Sequence, residues 1–229
     1  MSQFFQIQLR TSDVDAARRF YQAVLGAREL DVFPLHEQAV ARGARPHWLG
    51  HLDVADVDRA SAAFAERGAT PLGPKWVNPA GLEAAVMRDP GGAVVALSKP
   101  AADAARSATG LTWHLLHTAE VERAKTNYGE LFGWEFKQPL ELGELGVFHP
   151  FSWRPGGEAV GSFTDVAARS GVHPHWLFHF SAARLEPVLH AITAGGGTTM
   201  PPTTLPSGPR VAVCEDPQGA AFALYERSS

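Results

Sequence analysis

The chain has 229 residues, a net charge of −4 at pH 7 and 45% hydrophobic residues. This composition is typical of a soluble globular protein, and the length suits one large domain or two of about 115 residues. The negative net charge gives no reason to expect a nucleic-acid partner, so a small molecule is the expected partner.

The chain also lacks the usual signals for export or membrane insertion. Cys214 is the only cysteine, so no intramolecular disulfide can form, and its place among apolar residues indicates an inert buried thiol. Residues 1–10 lack the basic flank and apolar run of a secretory signal. No apolar stretch approaches the roughly 20 residues that span a bilayer. A cytoplasmic protein that does not associate with membranes is therefore expected.

Two phrases occur twice in the sequence. Residues 46–51 read PHWLGH, and residues 174–179 read PHWLFH, 174 − 46 = 128 positions later. Residues 89–93 read DPGGA, and residues 216–220 read DPQGA, at an offset of 216 − 89 = 127. Periods of this length mark whole supersecondary units, so the pattern predicts an internal duplication.

A third repeat has a shorter offset. Tyr21 and Gly26 match Tyr128 and Gly133, at an offset of 133 − 26 = 107. About twenty residues are therefore missing between the first helix and residue 46, compared with the second copy. The first repeat unit is expected to have lost a hairpin.

The same succession of elements is predicted four times in chain order. Each begins with a strand of alternating pattern: 5–10, 49–54, 113–118 and 177–182. An amphipathic helix follows each strand and ends at a glycine: Gly26, Gly68, Gly133 and Gly195. The tryptophans of the repeated phrase, Trp48 and Trp176, are expected to pack in the core between sheet and helix.

Hairpins follow the second and fourth helices. Residues 82–97 and 210–225 each read as two apolar strands joined by an Asp-Pro-x-Gly turn. Strand, helix and antiparallel strands indicate the α+β class rather than a doubly wound parallel sheet. The small-residue stretch near residue 100 predicts a domain comprising residues 1–100, a linker at 101–110 and a second domain comprising 111–229.

The run from Thr112 to Phe136, TWHLLHTAEVERAKTNYGELFGWEF, resembles the opening of a vicinal oxygen chelate module. This superfamily contains glyoxalase I, extradiol dioxygenases and bleomycin resistance proteins. The DPxG hairpins extend the likeness over nearly the whole chain. The resemblance implies four βαβββ modules, paired into two cupped-sheet domains, with the first module shortened.

The resemblance also implies where a divalent metal would be held. The first-strand ligand of the family lies seven residues before the acidic residue that opens the helix, and the last ligand is a glutamate seven residues after the aspartate of DPxG. In this sequence the corresponding positions carry Gln6, Leu49, Ala96, Trp113, Leu177 and Ala223. Only Gln6 can coordinate a metal, so no metal ligands and no cofactor are expected.

Residues two and four positions further along these strands share the face of the ligand positions. They are largely polar: Gln8, Arg10, His51 and Asp53 in the first half, and Leu115, His117, His179 and Ser181 in the second. Gln8, Arg10, His51 and Asp53 are candidates for ligand binding. An ion pair between Arg10 and Asp53 is an alternative.

His117 and His179 are the candidate catalytic residues. Three interpretations remain open for them: a relocated metal site, hydrogen bonds that merely satisfy the two imidazoles, or contact with a ligand as donor, acceptor or general base. Four aromatic residues, Trp113, Phe148, Trp153 and Tyr225, are candidates for stacking on a ligand. The alternative is that they fill an unused cavity.

Binding of a small organic molecule, aromatic or polyketide-like, without the usual metal is the leading functional prediction. A lyase, hydroxylase or dioxygenase using a non-inherited metal or histidine acid–base chemistry is the alternative, and a degenerate scaffold is a third. Four modules can pair within one chain, so either a monomer or a homodimer is compatible with the sequence.

Overall fold

A computed structural model describes residues 2–26, 30–78, 81–100, 111–169 and 171–227. The described part of the first hundred residues alternates strands with three helices, in this order: β1 (Phe4–Thr11), α1 (Val14–Leu25), β2 (Val32–Pro34), α2 (Glu37–Ala41), β3 (His47–Asp53), α3 (Val57–Glu66), β4 (Thr70–Pro71), β5 (Trp76–Val77), β6 (Glu83–Arg88) and β7 (Val94–Lys99).

The described residues from 111 onwards repeat this plan with more strands. They form β8 (Leu111–His117), α4 (Val121–Phe132), β9 (Glu135–Phe136), β10 (Leu140–Glu141), a 3-10 helix (Gly143–Leu145), β11 (Val147–Ser152), β12 (Gly161–Thr164), a 3-10 helix (Asp165–Ala168), β13 (His175–Ala182), α5 (Leu185–Ala194), β14 (Thr198–Thr199), β15 (Thr203–Thr204), β16 (Arg210–Glu215) and β17 (Ala221–Glu226).

The strands form two mixed sheets. The first has the order β2-β1-β3-β7-β6-β4, with β5 also paired to β6. The second has the order β10-β11-β12-β8-β13-β17-β16-β14, with β15 also paired to β16 and β9 to β11. The first strand of a module pairs in parallel with its last strand, as β3 does with β7 and β13 with β17. These pairings confirm the predicted α+β class.

The first module is shortened, as predicted. Between α1 and β3 the described residues form one short strand, β2, and the short helix α2, whereas four strands lie between α4 and β13. The three-residue strand β2 pairs in parallel with β1 at the edge of the sheet, and the helical turn α2 follows it.

The helix boundaries follow the capping signals of the sequence. The Ala16 amide donates to Asp13 Oδ1 at 2.9 Å, which caps the start of α1. Helices α1 and α4 end at Gly26 and Gly133, where φ is 60° and 75°. A left-handed residue is required at both ends, and glycine adopts it without steric cost.

The described residues divide into two compact units. The first comprises residues within 1–6, 50–109 and 113–176, and the second comprises residues within 7–49, 110–112 and 177–229. The predicted linker at 101–110 lies outside the described residues. The division into domains 1–100 and 111–229 therefore stays a prediction.

Each unit has an aromatic core that contains one of the repeated tryptophans. In the first unit the Trp176 ring lies 4.9 Å from the Phe4 ring. In the second unit the Trp48 ring lies 5.2 Å from the Tyr21 ring and 5.3 Å from the Phe180 ring. Both tryptophans are buried, which confirms their predicted place in the core.

Candidate ligand-binding site

Three side chains share one sheet face in the first unit. Phe148 on β11 is opposite Thr164 on β12, and Thr164 is opposite His117 on β8. Paired residues of neighbouring strands project from the same face of a sheet. The opposite face packs on helix α4, where the Phe163 ring lies 5.4 Å from the Tyr128 ring. Phe148, Thr164 and His117 therefore face away from that helix, and we call them the His117 face.

Thr164 is the central residue of the His117 face. It is completely buried, and its hydroxyl Oγ1 has no hydrogen-bond partner among the described residues. A buried hydroxyl without a partner costs about 1–3 kcal/mol, because folding removes its hydrogen bonds to water. This hydroxyl retains a donor and an acceptor that no described side chain uses.

His117 is the first of three imidazoles in succession. Its ring centroid lies 4.8 Å from that of His175, which lies 4.8 Å from that of His173. His175 and the His173 carbonyl oxygen are joined by a hydrogen bond of 2.8 Å at Nδ1. Burial lowers the pKa of His175 below its usual range, so this ring is neutral at pH 7. The imidazole beside His117 is therefore uncharged.

The predicted aromatic wall is divided between two faces. Trp113 is half-buried and lies four residues before His117 on β8, on the same side of that strand. Trp153 joins another cluster, with ring centroids 4.8 Å from Trp134 and 5.1 Å from Phe151. Phe148 and Trp153 are therefore not brought together. Trp153 lies one residue beyond the end of β11, whereas Phe148 lies near the start of that strand.

His114 is a buried residue that the sequence reasoning missed. Its ring stacks on the Phe4 ring at 5.3 Å and meets the Trp153 ring at 5.0 Å. Its Nδ1 lies 2.9 Å from the Val160 carbonyl oxygen, to which the neutral ring donates. Burial lowers the pKa of His114 to about 4. The imidazole is uncharged at neutral pH and packs as part of the aromatic core.

A cleft of about 520 Å³ lies beside this aromatic cluster in the first unit. It is lined by Gln3, Trp153 and residues of the loop that follows β11, including Arg154 and Glu158. Trp153 thus lines a concave surface whose lining residues include neither Phe148 nor His117.

The predicted residues of the first sheet fall into both units. In the first unit His51 is buried, and its Nδ1 lies 2.8 Å from Ser98 Oγ. Asp53 is half-buried, and its backbone amide donates to the Gln3 carbonyl oxygen at 3.0 Å. In the second unit Arg10 Nη2 donates to Gln8 Oε1 at 2.6 Å.

His179 and Tyr225 come together in the second unit. His179 is opposite Ala223, and Ser181 is opposite Tyr225, in the parallel pair of β13 and β17. His179 and Tyr225 therefore project from one face of these strands. His179 is buried, and its carbonyl oxygen accepts a hydrogen bond from Thr112 Oγ1 at 3.2 Å.

The side chains at the positions implied for a metal do not fit one. Ala96 is opposite His51, and Ala223 is opposite His179, so a methyl group stands where a glutamate would be needed. Among the residues that the structure describes, no group of three or more His, Cys, Asp or Glu side chains could hold a metal ion. Alanine and leucine side chains have no atom that coordinates a divalent ion.

Known proteins resemble this chain in sequence. Residues 3–97 match the model of the family described as Glyoxalase/Bleomycin resistance protein/Dioxygenase superfamily. A protein named "Putative glyoxylase CFP32" from Mycobacterium bovis is 25% identical over 96% of this chain and 93% of its own length. Mycobacterium tuberculosis has a relative of the same name, with the same identity and coverage.

Solved structures share the fold at low identity. The 2,3-dioxygenase LapB from Pseudomonas sp. KL28 matches 98% of this chain and 91% of its own, with a TM-score of 0.61 and 14% identity. The Mn(II)-bound glyoxalase from Novosphingobium aromaticivorans matches 99% of this chain and 83% of its own, with a TM-score of 0.58 and 14% identity. A substrate complex of homoprotocatechuate 2,3-dioxygenase from Brevibacterium fuscum matches 98% and 80%, with a TM-score of 0.64 and 16% identity.

These findings confirm the resemblance drawn from the sequence.

None of the helices in the described part of the chain is long and apolar enough to cross a membrane.

Proposed function

We propose that this chain binds a small organic molecule, aromatic or polyketide-like, because residues 3–97 match the model of the Glyoxalase/Bleomycin resistance protein/Dioxygenase superfamily. The molecule lies on the His117 face and is held without the metal ligands of the family. The observation that carries this proposal is the buried hydroxyl of Thr164, between Phe148 and His117.

The three side chains of the His117 face supply complementary contacts. Phe148 offers an apolar ring for stacking. Thr164 offers a hydroxyl that both donates and accepts, and His117 offers an imidazole that a ligand hydroxyl or carbonyl can reach. A planar molecule with one polar edge would match this arrangement. Pockets of this kind combine an apolar wall with a few placed polar groups.

A thermal-shift screen of aromatic metabolites and polyketide antibiotics tests the proposal. A ligand that binds the folded state raises the melting temperature, by mass action. The binding constant of each hit is then measured by calorimetry for the wild type and for Thr164→Val and Phe148→Ala. We expect Thr164→Val to weaken binding roughly tenfold, which corresponds to about 1.4 kcal/mol for one lost hydrogen bond.

The Thr164→Val variant also distinguishes a hydroxyl that binds the ligand from one that only stabilises the fold. Valine has the shape of threonine without the hydroxyl, so the free protein should be at least as stable as the wild type. Thr126→Val, at an exposed position on α4, is the matched control and should bind normally. Undiminished affinity in Thr164→Val, or a panel in which no compound raises the melting temperature, would contradict the proposal.

An enzymatic function within the same superfamily is the second candidate. The relatives are named as glyoxylases, glyoxalases and dioxygenases, and His117 stands beside the neutral ring of His175. In that case His117 would act as the general base and the protein would be a lyase, hydroxylase or dioxygenase. A His117→Ala variant whose turnover of a bound ligand falls far more than its affinity for that ligand would establish this function over binding alone.

A further inference from the structure

Arg10 has only uncharged partners. Its Nη2 donates to Gln8 Oε1 at 2.6 Å, and its guanidinium carbon lies 5.0 Å from the centroid of the Phe33 ring. The ion pairs given for the described part of the chain do not include Arg10, and burial is the one cause that lowers the pKa of its guanidinium. The side chain is nevertheless half-buried. Arg10 therefore carries a positive charge that is partly removed from water and not balanced by a counter-ion.

The strands fix this arrangement. Arg10 is opposite Phe33 in the parallel pair of β1 and β2, so both side chains project from the same face. The cation lies on the ring, where the π electrons attract it. Phe33 itself remains 38% exposed. An apolar surface thus stands beside the positive charge and is open to solvent.

The neighbouring ionisable group does not neutralise Arg10. Burial, together with the charge of Arg10, lowers the pKa of His47, so its ring is uncharged at neutral pH. The hydrogen bond between His47 Nδ1 and the Arg45 carbonyl oxygen, at 2.7 Å, occupies one ring nitrogen. The corner formed by Gln8, Arg10, Phe33 and His47 therefore has a net charge of +1.

We propose that Arg10, Gln8 and Phe33 form a binding site for the carboxylate of a planar organic acid. Gln8 Oε1 accepts a hydrogen bond from Nη2 of the guanidinium. The remaining N–H groups donate to the two carboxylate oxygens. The apolar body of the acid lies against the exposed part of the Phe33 ring. The site lies wholly within the second unit and does not depend on the function proposed for the His117 face.

Benzoate, acetate and chloride are the probes for this site. Binding to the full chain is measured by calorimetry and by the shift in melting temperature at constant ionic strength. Benzoate should bind more tightly than acetate, and chloride should not compete at equal concentration. In Arg10→Gln we expect loss of benzoate binding, and in Arg10→Lys a weakening of roughly tenfold, because lysine cannot make the bidentate contact.

Two further variants test the contribution of the Phe33 ring and whether binding is specific to Arg10. Phe33→Ala should weaken benzoate binding and leave acetate binding unchanged. Arg19→Gln, an exposed arginine on α1 outside the site, is the matched control and should bind benzoate as the wild type does. Thr164→Val should also bind benzoate normally, so a failure of the His117 face and a failure of this site are distinguishable.

The stability of the unliganded variants separates a binding arginine from a structural one. Removal of an uncompensated cation should leave the melting temperature of Arg10→Gln equal to or above that of the wild type. Arg10→Lys retains the charge, so it separates the loss of the bidentate geometry from the loss of the charge. Equal benzoate binding in wild type and Arg10→Lys, no benzoate binding to the wild type, or a marked loss of stability in Arg10→Gln would overturn the proposal.

Discussion

Asp89 and Asp216, the aspartates of the two DPxG turns, are held in the same way in separate units. In the first unit Tyr128 Oη donates to Asp89 Oδ2 at 3.2 Å. In the second unit Tyr21 Oη donates to Asp216 Oδ2 at 3.2 Å. Each aspartate also accepts from backbone amides of its own turn, as Asp89 Oδ1 does from the Ala93 amide at 2.8 Å. One carboxylate therefore fixes both the turn and a helix.

The sequence reveals only part of this arrangement. The turn role of the aspartates and the core position of Tyr21 and Tyr128 follow from local patterns. The hydrogen bond between tyrosine and aspartate joins residues 39 and 195 positions apart. Local spacing carries no information about such a contact, so it could not be predicted from one sequence.

Asp89 should make the stability of the fold depend on pH. Burial is the main cause that raises the pKa of Asp89 from its ordinary 3.8 to about 6. Since the folded pKa is above the unfolded one, this group's contribution is fully present below about pH 4 and is lost as pH rises through about 6. A shift of about two units corresponds to about 3 kcal/mol.

Urea denaturation of Asp89→Asn between pH 4.5 and 7.5 measures this contribution. The free energy of unfolding of the wild type should fall with rising pH relative to that of Asp89→Asn. Other titrating groups are common to both proteins and cancel in the difference. Asp15→Asn, an exposed position on α1, should follow the wild type. Parallel curves for wild type and Asp89→Asn would refute the assignment.

At the scale of elements, the long strands and helices were predictable and the short ones were not. The predicted strand 113–118 corresponds to β8 at Leu111–His117, and the predicted strand 49–54 to β3 at His47–Asp53. Two-residue strands, such as β4, β5, β14 and β15, have too few positions to show an alternating pattern. Their pairing depends on the neighbouring strand rather than on their own sequence.

The faces of the candidate site followed from the same periodicity. The sequence grouped four aromatic residues by type: Trp113, Phe148, Trp153 and Tyr225. The structure places the Trp153 ring beside Trp134 and Phe151, whereas Phe148 shares a sheet face with Thr164 and His117. Thr164 was not singled out. Its importance arises from burial and from the residues opposite it, neither of which a sequence displays.

Strand β12 should be intolerant of a side chain at its first position. A Cβ atom on Gly161 would approach the His114 carbonyl oxygen, and it would lie 2.5 Å from Cε1 of Phe151. Overpacking of a well-filled core costs typically about 1–3 kcal/mol. Gly161→Ala should therefore unfold at lower urea concentration, and the displaced strand should also weaken ligand binding on the His117 face.

Gly73→Ala is the matched control for this variant. A Cβ atom at Gly73 has no heavy atom within 4 Å, and its backbone does not require glycine. Its free energy of unfolding should stay within about 0.5 kcal/mol of the wild-type value. If Gly161→Ala were as stable as Gly73→Ala, the inference that β12 lies too close to β8 for a side chain at residue 161 would be wrong.

At the scale of the whole molecule, the duplication is visible in the sequence, but the grouping into units is not. The repeats predict two similar halves, and the two sheets correspond to them. Each compact unit instead combines residues from both halves. Contacts such as Tyr21 with Asp216 and Tyr128 with Asp89 join a helix of one half to a turn of the other. Only tertiary structure shows which half supplies each partner.

The metal content of the purified protein tests the most general prediction. Four positions implied for metal ligands carry hydrocarbon side chains: Leu49, Ala96, Leu177 and Ala223. Such side chains cannot replace histidine or glutamate as ligands. After dialysis against Mn²⁺, Fe²⁺ or Zn²⁺ and removal of loosely bound ions, we expect far less than one metal ion per chain by elemental analysis.

A double variant makes this prediction specific to the two candidate histidines. If a relocated site existed, His117→Ala combined with His179→Ala would remove a stoichiometric metal that the wild type retains. We expect the metal content of the two proteins to be the same. The Gln6→Ala variant is a further comparison, because Gln6 is the one side chain at the implied positions with a coordinating oxygen. Stoichiometric metal lost in either variant would show that the chain kept metal-dependent chemistry despite its altered ligand positions.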